Sequence, residues 1–368
     1  MRSFLFIIIA LTFFGCEDKL LKEEFDDTPT GIFNAFWSEF DRFYGAFEAK
    51  NINWDSLRIV SAQGLSNSST DRELYDALCK LIVSLNDGHA VLSAEKFGNF
   101  SSWSRRNKSY FADVNTTSAS HANQIFSTIL TDYLKSNYKS DESTGYLFFY
   151  GTFSYNTHKL GYLFIPTFDG QDFPKDFIRK AAAEFQNVDA VIIDLRFNPG
   201  GITSNFQFAQ NMFTSESRLY LKSRLRNGPK HSDFTGFIEH YTHPDPQSVR
   251  NKPIALLANS YTGSSAEHFI LGMKSQDNVI LVGDTTRGAF SEVHQRVLSN
   301  GWVYQLGAQV IYTPDGRLYR SSNGKYIEGY GLAPDYYAPD YLKALSSGND
   351  YPLNRAIIEI DKRIKTGN

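Results

Sequence analysis

The sequence predicts an α/β protein whose core is preceded by a helical N-terminal subdomain. Three observations lead there. Short apolar, β-branched runs at Leu160–Ile165, Ala190–Leu195, Ile254–Asn259 and Val279–Val282 alternate with helical patterns over 174–186, 203–213 and 264–275. Near-continuous apolar strands of this kind belong to sheets covered on both faces. Ahead of them, from Thr28 to Leu92, apolar residues recur at three- and four-residue steps, the helical period. The chain has 368 residues, 42% of them hydrophobic, enough to bury one large or two medium domains.

The elements follow in order. Residues 1–15 read as a signal segment: Arg2 is a short basic start, and the apolar run Phe4–Phe14 is too short to span a bilayer as a helix. Gly15-Cys16 follows and resembles a bacterial lipobox, which implies lipidation of Cys16 and a membrane anchor at the cell envelope, on the outer-membrane or periplasmic face. An ordinary secretory signal with a coincidental Cys is the alternative. Residues 16–29 then form an acidic tether. In the helical subdomain, 30–95, Phe33, Phe36, Trp37, Phe40, Phe43 and Tyr44 make a wide apolar stripe. A second helix starts at Ser69-Thr70-Asp71, buries Leu74, Leu78, Leu81, Ile82 and Leu85, and stops at Asn86-Asp87-Gly88, leaving His89 on a loop or strand entry. Residues 96–145 are rich in Ser, Asn and Asp and predict a loop-rich connection with one helix near Asn123–Leu134. The α/β core spans 146–345, and residues 346–368 close the chain with an amphipathic helix at Leu353–Lys365.

Charge and cysteines exclude several functions. Lys+Arg 37 against Asp+Glu 40 gives a net charge of −3 with no basic block, so nucleic acid is not an expected partner. Of the 2 cysteines, Cys16 is the lipidation site and Cys79 lies in the helical pattern as a core residue, so neither a disulfide nor a zinc spacing is expected. His231, His240 and His243 fall in a polar loop, and no metal or other cofactor is expected. The 30 Phe and 21 Tyr fit either aromatic-rich packing or an aromatic-lined ligand site.

Three segments are able to carry chemistry. Asp194-Leu195-Arg196-Phe197-Asn198-Pro199-Gly200-Gly201 ends a strand in a Gly pair, which permits a sharp turn and backbone N–H groups that hold an oxyanion; a plain turn is the alternative. Asn259-Ser260-Tyr261-Thr262-Gly263-Ser264-Ser265-Ala266-Glu267 joins a strand to a helix, where Ser264 is either a helix cap or a nucleophile favoured by the helix N-terminus. Glu328 in Ile327–Asp335 is, alone, an ordinary carboxylate. The GxSxG elbow and phosphate-loop patterns are absent.

With Leu85-Asn86-Asp87-Gly88-His89 and Val282-Gly283-Asp284-Thr285-Thr286-Arg287-Gly288, these motifs resemble, in order, the C-terminal-processing (tail-specific) and tricorn-type serine peptidases over about residues 30–340. The resemblance implies a ClpP/crotonase-like core and an acyl-enzyme on Ser264, with protein or peptide substrates. It departs from the Ser/Lys branch, since Ala289 stands at the Lys position, and matches the tricorn-like branch through His89. That branch implies His89 as general base, Glu328 as its electrostatic support, and Gly200 or Gly201 with the Ser265 N–H as oxyanion hole. Gly88 stands where tricorn-type members carry a tetrad Ser. His268, one helical turn after Ser264, is a weaker candidate base, and Ser265 a weaker nucleophile. Too little chain separates His89 from Leu160 for a PDZ module, and none is expected. A non-catalytic ligand- or peptide-binding protein on the same fold, as the retinoid-binding relatives illustrate, is the competing reading.

Overall fold

The computed structural model describes residues 25–103, 119–135 and 137–366. The signal segment and Cys16 lie outside them. In chain order the elements are α1 (Pro29–Phe43), α2 (Phe47–Lys50), α3 (Trp54–Ser61), α4 (Asp71–Ile82), β1 (Val91–Ala94), β2 (Gly98–Ser101), α5 (Ala119–Thr128), β3 (Tyr138–Asp141), β4 (Phe148–Tyr155) and β5 (His158–Phe164). There follow α6 (Lys175–Phe185), β6 (Ala190–Asp194), α7 (Thr203–Asn211), β7 (Leu219–Leu225), β8 (Ile238–Tyr241), β9 (Ile254–Ala258), α8 (Ser265–Lys274) and β10 (Val279–Gly283). The chain ends with β11 (Val293–Val297), β12 (Val303–Gly307), β13 (Gln309–Tyr312), β14 (Tyr336–Tyr337), α9 (Leu342–Leu345) and α10 (Tyr351–Thr366).

A seven-stranded sheet in the order β14-β10-β9-β6-β5-β4-β3 is the centre of the molecule. It is parallel from β14 to β5, and β4 and β3 close one side as antiparallel additions. Alternation along each strand feeds two cores. Val191, Ile193, Leu256 and Leu281 pack under α6, α7 and α8, whereas Ile192, Ala255, Leu257 and Ile280 pack under α5, α10 and Leu345. Both faces are therefore buried, which is why these strands read as unbroken apolar runs.

The helical region begins with defined caps. Thr28 accepts from Gly31 N ahead of Pro29, and Thr70 with Glu73 forms a capping box at α4. Asn86, in the left-handed conformation, stops the turn that follows α4. The region does not stand alone. Its stripe packs on a four-stranded sheet, β11-β12-β1-β2, two of whose strands come from late in the chain. Phe36, Phe40, Tyr44, Phe47, Trp54 and Tyr304 form one contiguous series of tilted and edge-on rings with centroids 4.7–6.1 Å apart. These aromatics are core, each pair contributing about 0.5–1.5 kcal/mol beyond its area. No helix among the described residues is long and apolar enough to cross a membrane.

The Asp194-Leu195-Arg196 motif supplies an anchor to the C-terminal segment. Arg196 is fully buried and pairs with Asp194 (2.6 Å), Asp340 (2.9 Å) and Asp350 (2.8 Å). Tyr162 donates to Asp194 at 2.6 Å. Burial pushes the Asp340 carboxyl up to about 6 despite Arg196. Removing the cation would leave three carboxylates buried together. Arg196→Met is accordingly expected to lower the stability by about 3–5 kcal/mol, read as a fall in the denaturation midpoint.

Candidate active site

The strand β9 delivers the chain into a tight turn that ends at Ser264. Asn259 N donates to Thr262 Oγ1 (3.0 Å), whose hydroxyl donates to Leu195 O (2.9 Å), and Asn259 Oδ1 accepts from Tyr261 N (3.0 Å). Ser264 then adopts φ 55°, ψ −124° immediately before α8, a conformation costly for a residue with a side chain. Its backbone N–H donates to Glu267 Oε2 at 3.0 Å. The Ser thus sits on a strained strand-to-helix turn at a helix N-terminus, a place that presents a hydroxyl and favours negative charge.

Glu267 is the hub of this turn. Besides Ser264 N, its carboxylate accepts from Ala289 N (2.8 Å), Gly288 N (2.7 Å) and the Thr286 hydroxyl. Full burial pushes its pKa up, and these four donors pull it down. The sequence offers Ser264 as a helix cap; the tie of Glu267 to 286–289 comes from the fold.

The Gly pair lies against the Ser. A side chain on Gly200 (φ 106°) would meet Ser264 Cβ at 2.6 Å and Ser265 N at 2.8 Å, so only Gly fits this approach. The Gly200 N–H donates to Asn198 Oδ1 at 2.9 Å within the turn, and its missing side chain gives clearance to Ser264. The Gly201 carbonyl accepts from the Ser265 hydroxyl at 2.5 Å, which ties that hydroxyl to the backbone and disfavours Ser265 as a nucleophile.

His89 and Glu328 are brought together from opposite ends of the chain. His89 Nδ1 lies 4.0 Å from Glu328 Oε1. Both atoms are buried and without a hydrogen-bond partner among the described residues. Glu328 Oε2 is held by Phe290 N (2.9 Å) and Ser291 N (3.1 Å). Burial and Asp87 push the Glu328 carboxyl well above the carboxylate range, while Lys50 draws it down. Burial lowers the His89 pKa to about 4, Arg287 and His268 adding to that and Asp87 opposing it. Asp87, a residue the sequence reading passed over, accepts from His89 N (2.7 Å) and from Tyr44 OH (2.9 Å). Asp87, His89 and Glu328 are one acidic-histidine cluster, each offering an atom within 4.8 Å of the others.

The Ser and His walls meet through residues 287–289. Arg287 N donates to Thr262 O (2.8 Å), and its side chain lies along Gly263, over the Trp103 ring (5.0 Å) and beside Gly88. Ala289 explains Gly88. A Cβ at position 88 would fall 2.9 Å from Ala289 Cβ, so the serine expected there from tricorn-type members has no room. His268 does not join His89. Its Nε2 bonds Phe290 O at 2.8 Å and its ring stacks on Phe206, so that nitrogen is the donor and is not a free base.

The chain is similar to known proteins in sequence and in fold. Residues 159–338 match the family model described as Peptidase family S41. Two Bacillus subtilis proteins named carboxy-terminal processing proteases, CtpA and CtpB, are 26% and 25% identical over 162 and 192 residues, 44% and 51% of this chain. The matches span 31% and 36% of those relatives, about a third of their length. Among solved structures, one from Parabacteroides merdae superposes with TM-score 0.74 at 21% identity, covering 91% of this chain and 97% of that one. Mature CPAF, solved with lactacystin, gives 0.61 at 14% identity over 92% and 98%. These likenesses establish the shared fold.

The strain at Ser264 is testable without any assay of activity. Ser264→Gly is expected to be more stable than Ser264→Ala by about 1 kcal/mol in chemical denaturation, because Gly alone relaxes a positive φ. Equal stability would mean that the turn is not strained.

Proposed function

We propose, on the match of residues 159–338 to the model described as Peptidase family S41, that the chain is a serine endopeptidase that cleaves proteins or peptides through an acyl-enzyme on Ser264. One observation carries the proposal: the orphaned His89 Nδ1 and Glu328 Oε1 face each other across 4.0 Å, on the wall that packs against the strained Ser264 turn. In this reading His89 Nε2 takes the Ser264 hydroxyl proton as the oxygen attacks the scissile carbonyl. Glu328 steadies the imidazolium that forms through Nδ1. The oxyanion is received by the Ser265 N–H at the α8 N-terminus and by the Gly201 N–H. His89 then gives the proton to the leaving amine, and water repeats the sequence in reverse roles on the acyl-enzyme.

A base with a depressed pKa remains neutral, and so active, in mildly acid solution. Fluorophosphonate labelling of the folded protein is expected to depend on Ser264 and to vanish in Ser264→Ala. Its rate should stay level on acidification and reach half its plateau near pH 4, where an ordinary histidine would give about 6.5. Labelling that survives Ser264→Ala, or none of the wild type, removes the peptidase reading and leaves the binding-protein one.

We further propose that Cys16 is lipidated and tethers the protein to the cell envelope by its acyl chains, on the support of the Arg2, Phe4–Phe14 and Gly15-Cys16 pattern. Labelled palmitate should enter the wild type and not Cys16→Ala; equal incorporation in both would dismiss the anchor.

A further inference from the structure

The turn that ends at Ser264 and the turn that carries the Gly pair touch directly, and they are also joined through buried side chains. Gly263 N donates to Asn198 O (3.0 Å), and Gly200 lies close against Ser264. The second link is Asn259, the first residue after β9, which is 2% exposed. Its Oδ1 accepts from Tyr261 N (3.0 Å), on the way to Ser264, and from Phe197 N (3.3 Å), on the way to the Gly pair. One carboxamide oxygen thus holds the backbones of both turns. Phe197 and Ser264 have positive φ, 69° and 55°, so each turn contains a residue in a conformation that a side chain disfavours.

An amide fixed only at its oxygen is free to turn about its last side-chain torsion. Asp340 prevents that here. Asn259 Nδ2 donates to Asp340 Oδ2 at 3.3 Å, and Asp340 Oδ1 accepts from Arg196 Nη1 at 2.9 Å. Asp340 is 4% exposed and is brought in by the pairing of β14 with β10, after which Ala338 N donates to Gly283 O at 2.8 Å. One oxygen of this carboxylate therefore takes the cation of the Asp194–Gly201 segment, and the other takes the amide of the Asn259–Glu267 segment. The other carboxylates on Arg196 are engaged differently. Asp194 belongs to the same segment as the arginine and accepts its N–H (2.9 Å), whereas Asp350 accepts from Leu353 N (3.0 Å) at the start of α10.

Building on the peptidase reading, we propose that Asp340 is a positioning residue which, by orienting Asn259 and Arg196 together, sets the Gly-pair turn against the Ser264 turn. Donors for an oxyanion act only at hydrogen-bond distance from it, so a small shift between the two turns costs rate. Exchanging the two side chains tests this. Asp340→Asn leaves one acceptor oxygen for two donors, and Asn259→Asp sets two carboxylates face to face. At pH 8, above the Asp340 value of about 6, each change is expected to slow fluorophosphonate labelling by about tenfold or more. On a peptide substrate kcat should fall alike, with KM little changed. The combined swap, Asp340→Asn with Asn259→Asp, restores every bond of the junction and should recover most of the rate.

Hydrogen exchange reads the junction without any activity. The Tyr261 and Phe197 amides should be protected in the wild type, exchange about tenfold faster in each single variant and regain protection in the swap. A merely structural part for Asp340 would lower the denaturation midpoints of the single variants and leave kcat of the folded proteins at the wild-type value, which overturns the proposal. An unprotected Tyr261 amide in the wild type overturns it too, as does a swap that fails to fold or does no better than the single changes. Should a single variant not fold, the swap decides alone. If the wild type is not labelled while exchange behaves as stated, the peptidase reading fails and the part of Asp340 in it with it, and the Asp340–Asn259 junction stands.

Discussion

The structure of this site hangs on one buried carboxylate. Glu267 takes the N–H of Ser264, the N–H groups of Gly288 and Ala289, and the Thr286 hydroxyl, all from inside the protein. A carboxylate with no exposure is tolerable only when its lone pairs are used, and each charge-assisted bond contributes about 1.5–3 kcal/mol. The strained Ser264 turn is therefore held by interactions that exceed its strain. The same carboxylate fixes segment 286–289, whose continuation offers the Phe290 and Ser291 N–H groups to Glu328. Ser264 and Glu328 are thus set by two successive carboxylate clamps on one loop.

That arrangement makes the helical region and the α/β core a single functional unit. Tyr44 from the end of α1 donates to Asp87, and Lys50 from α2 holds the carbonyls that precede it. Asp87 in turn fixes the His89 backbone and is bonded through its own N–H to the Ser102 hydroxyl (2.9 Å). Glu328 and the β11–β12 hairpin, from the far end of the chain, pack against this assembly. The catalytic candidates are not carried on one rigid element. Their alignment depends on docking between regions far apart in sequence, and the aromatic series from Phe36 to Tyr304 supplies that docking with apolar area.

Much of this was legible in the sequence, for physical reasons. The central strands and α6–α8 declare themselves because burial on both faces leaves unbroken apolar runs, and α4 because Thr70 and Glu73 cap it. The four-stranded sheet did not, since β11 is mostly exposed and β2 is only partly buried, so neither shows a strong alternation. The region assigned to loops contains β3, a mostly exposed strand that completes the main sheet by pairing with β4. Ser264, His89 and Glu328 are candidates by motif order. Lys50 carries no such signal: its bonds to Leu85 O and Asn86 O follow from where the short α2 ends, which no local pattern encodes. The Gly pair reads as a source of oxyanion donors from either Gly200 or Gly201, whereas the need for Gly200 to lack a side chain comes from its approach to Ser264.

The absence of a lysine base and the presence of Gly88 prove to be one steric fact. Ala289 stands where a Ser/Lys enzyme carries its lysine, and its Cβ faces the Gly88 backbone so closely that a Cβ there would lie 2.9 Å away. A longer side chain from position 289 would have to occupy the space in which the His89 loop is packed. A side chain at 88 would push that loop off Ala289. With this backbone, a long side chain from 289 and the His89 loop compete for the same volume. In the proposed reading, packing as well as chemistry selects the base. A missing fourth hydroxyl at position 88 follows from that packing: Gly88 is the residue that lets the loop close onto Ala289 and carry His89 to Glu328.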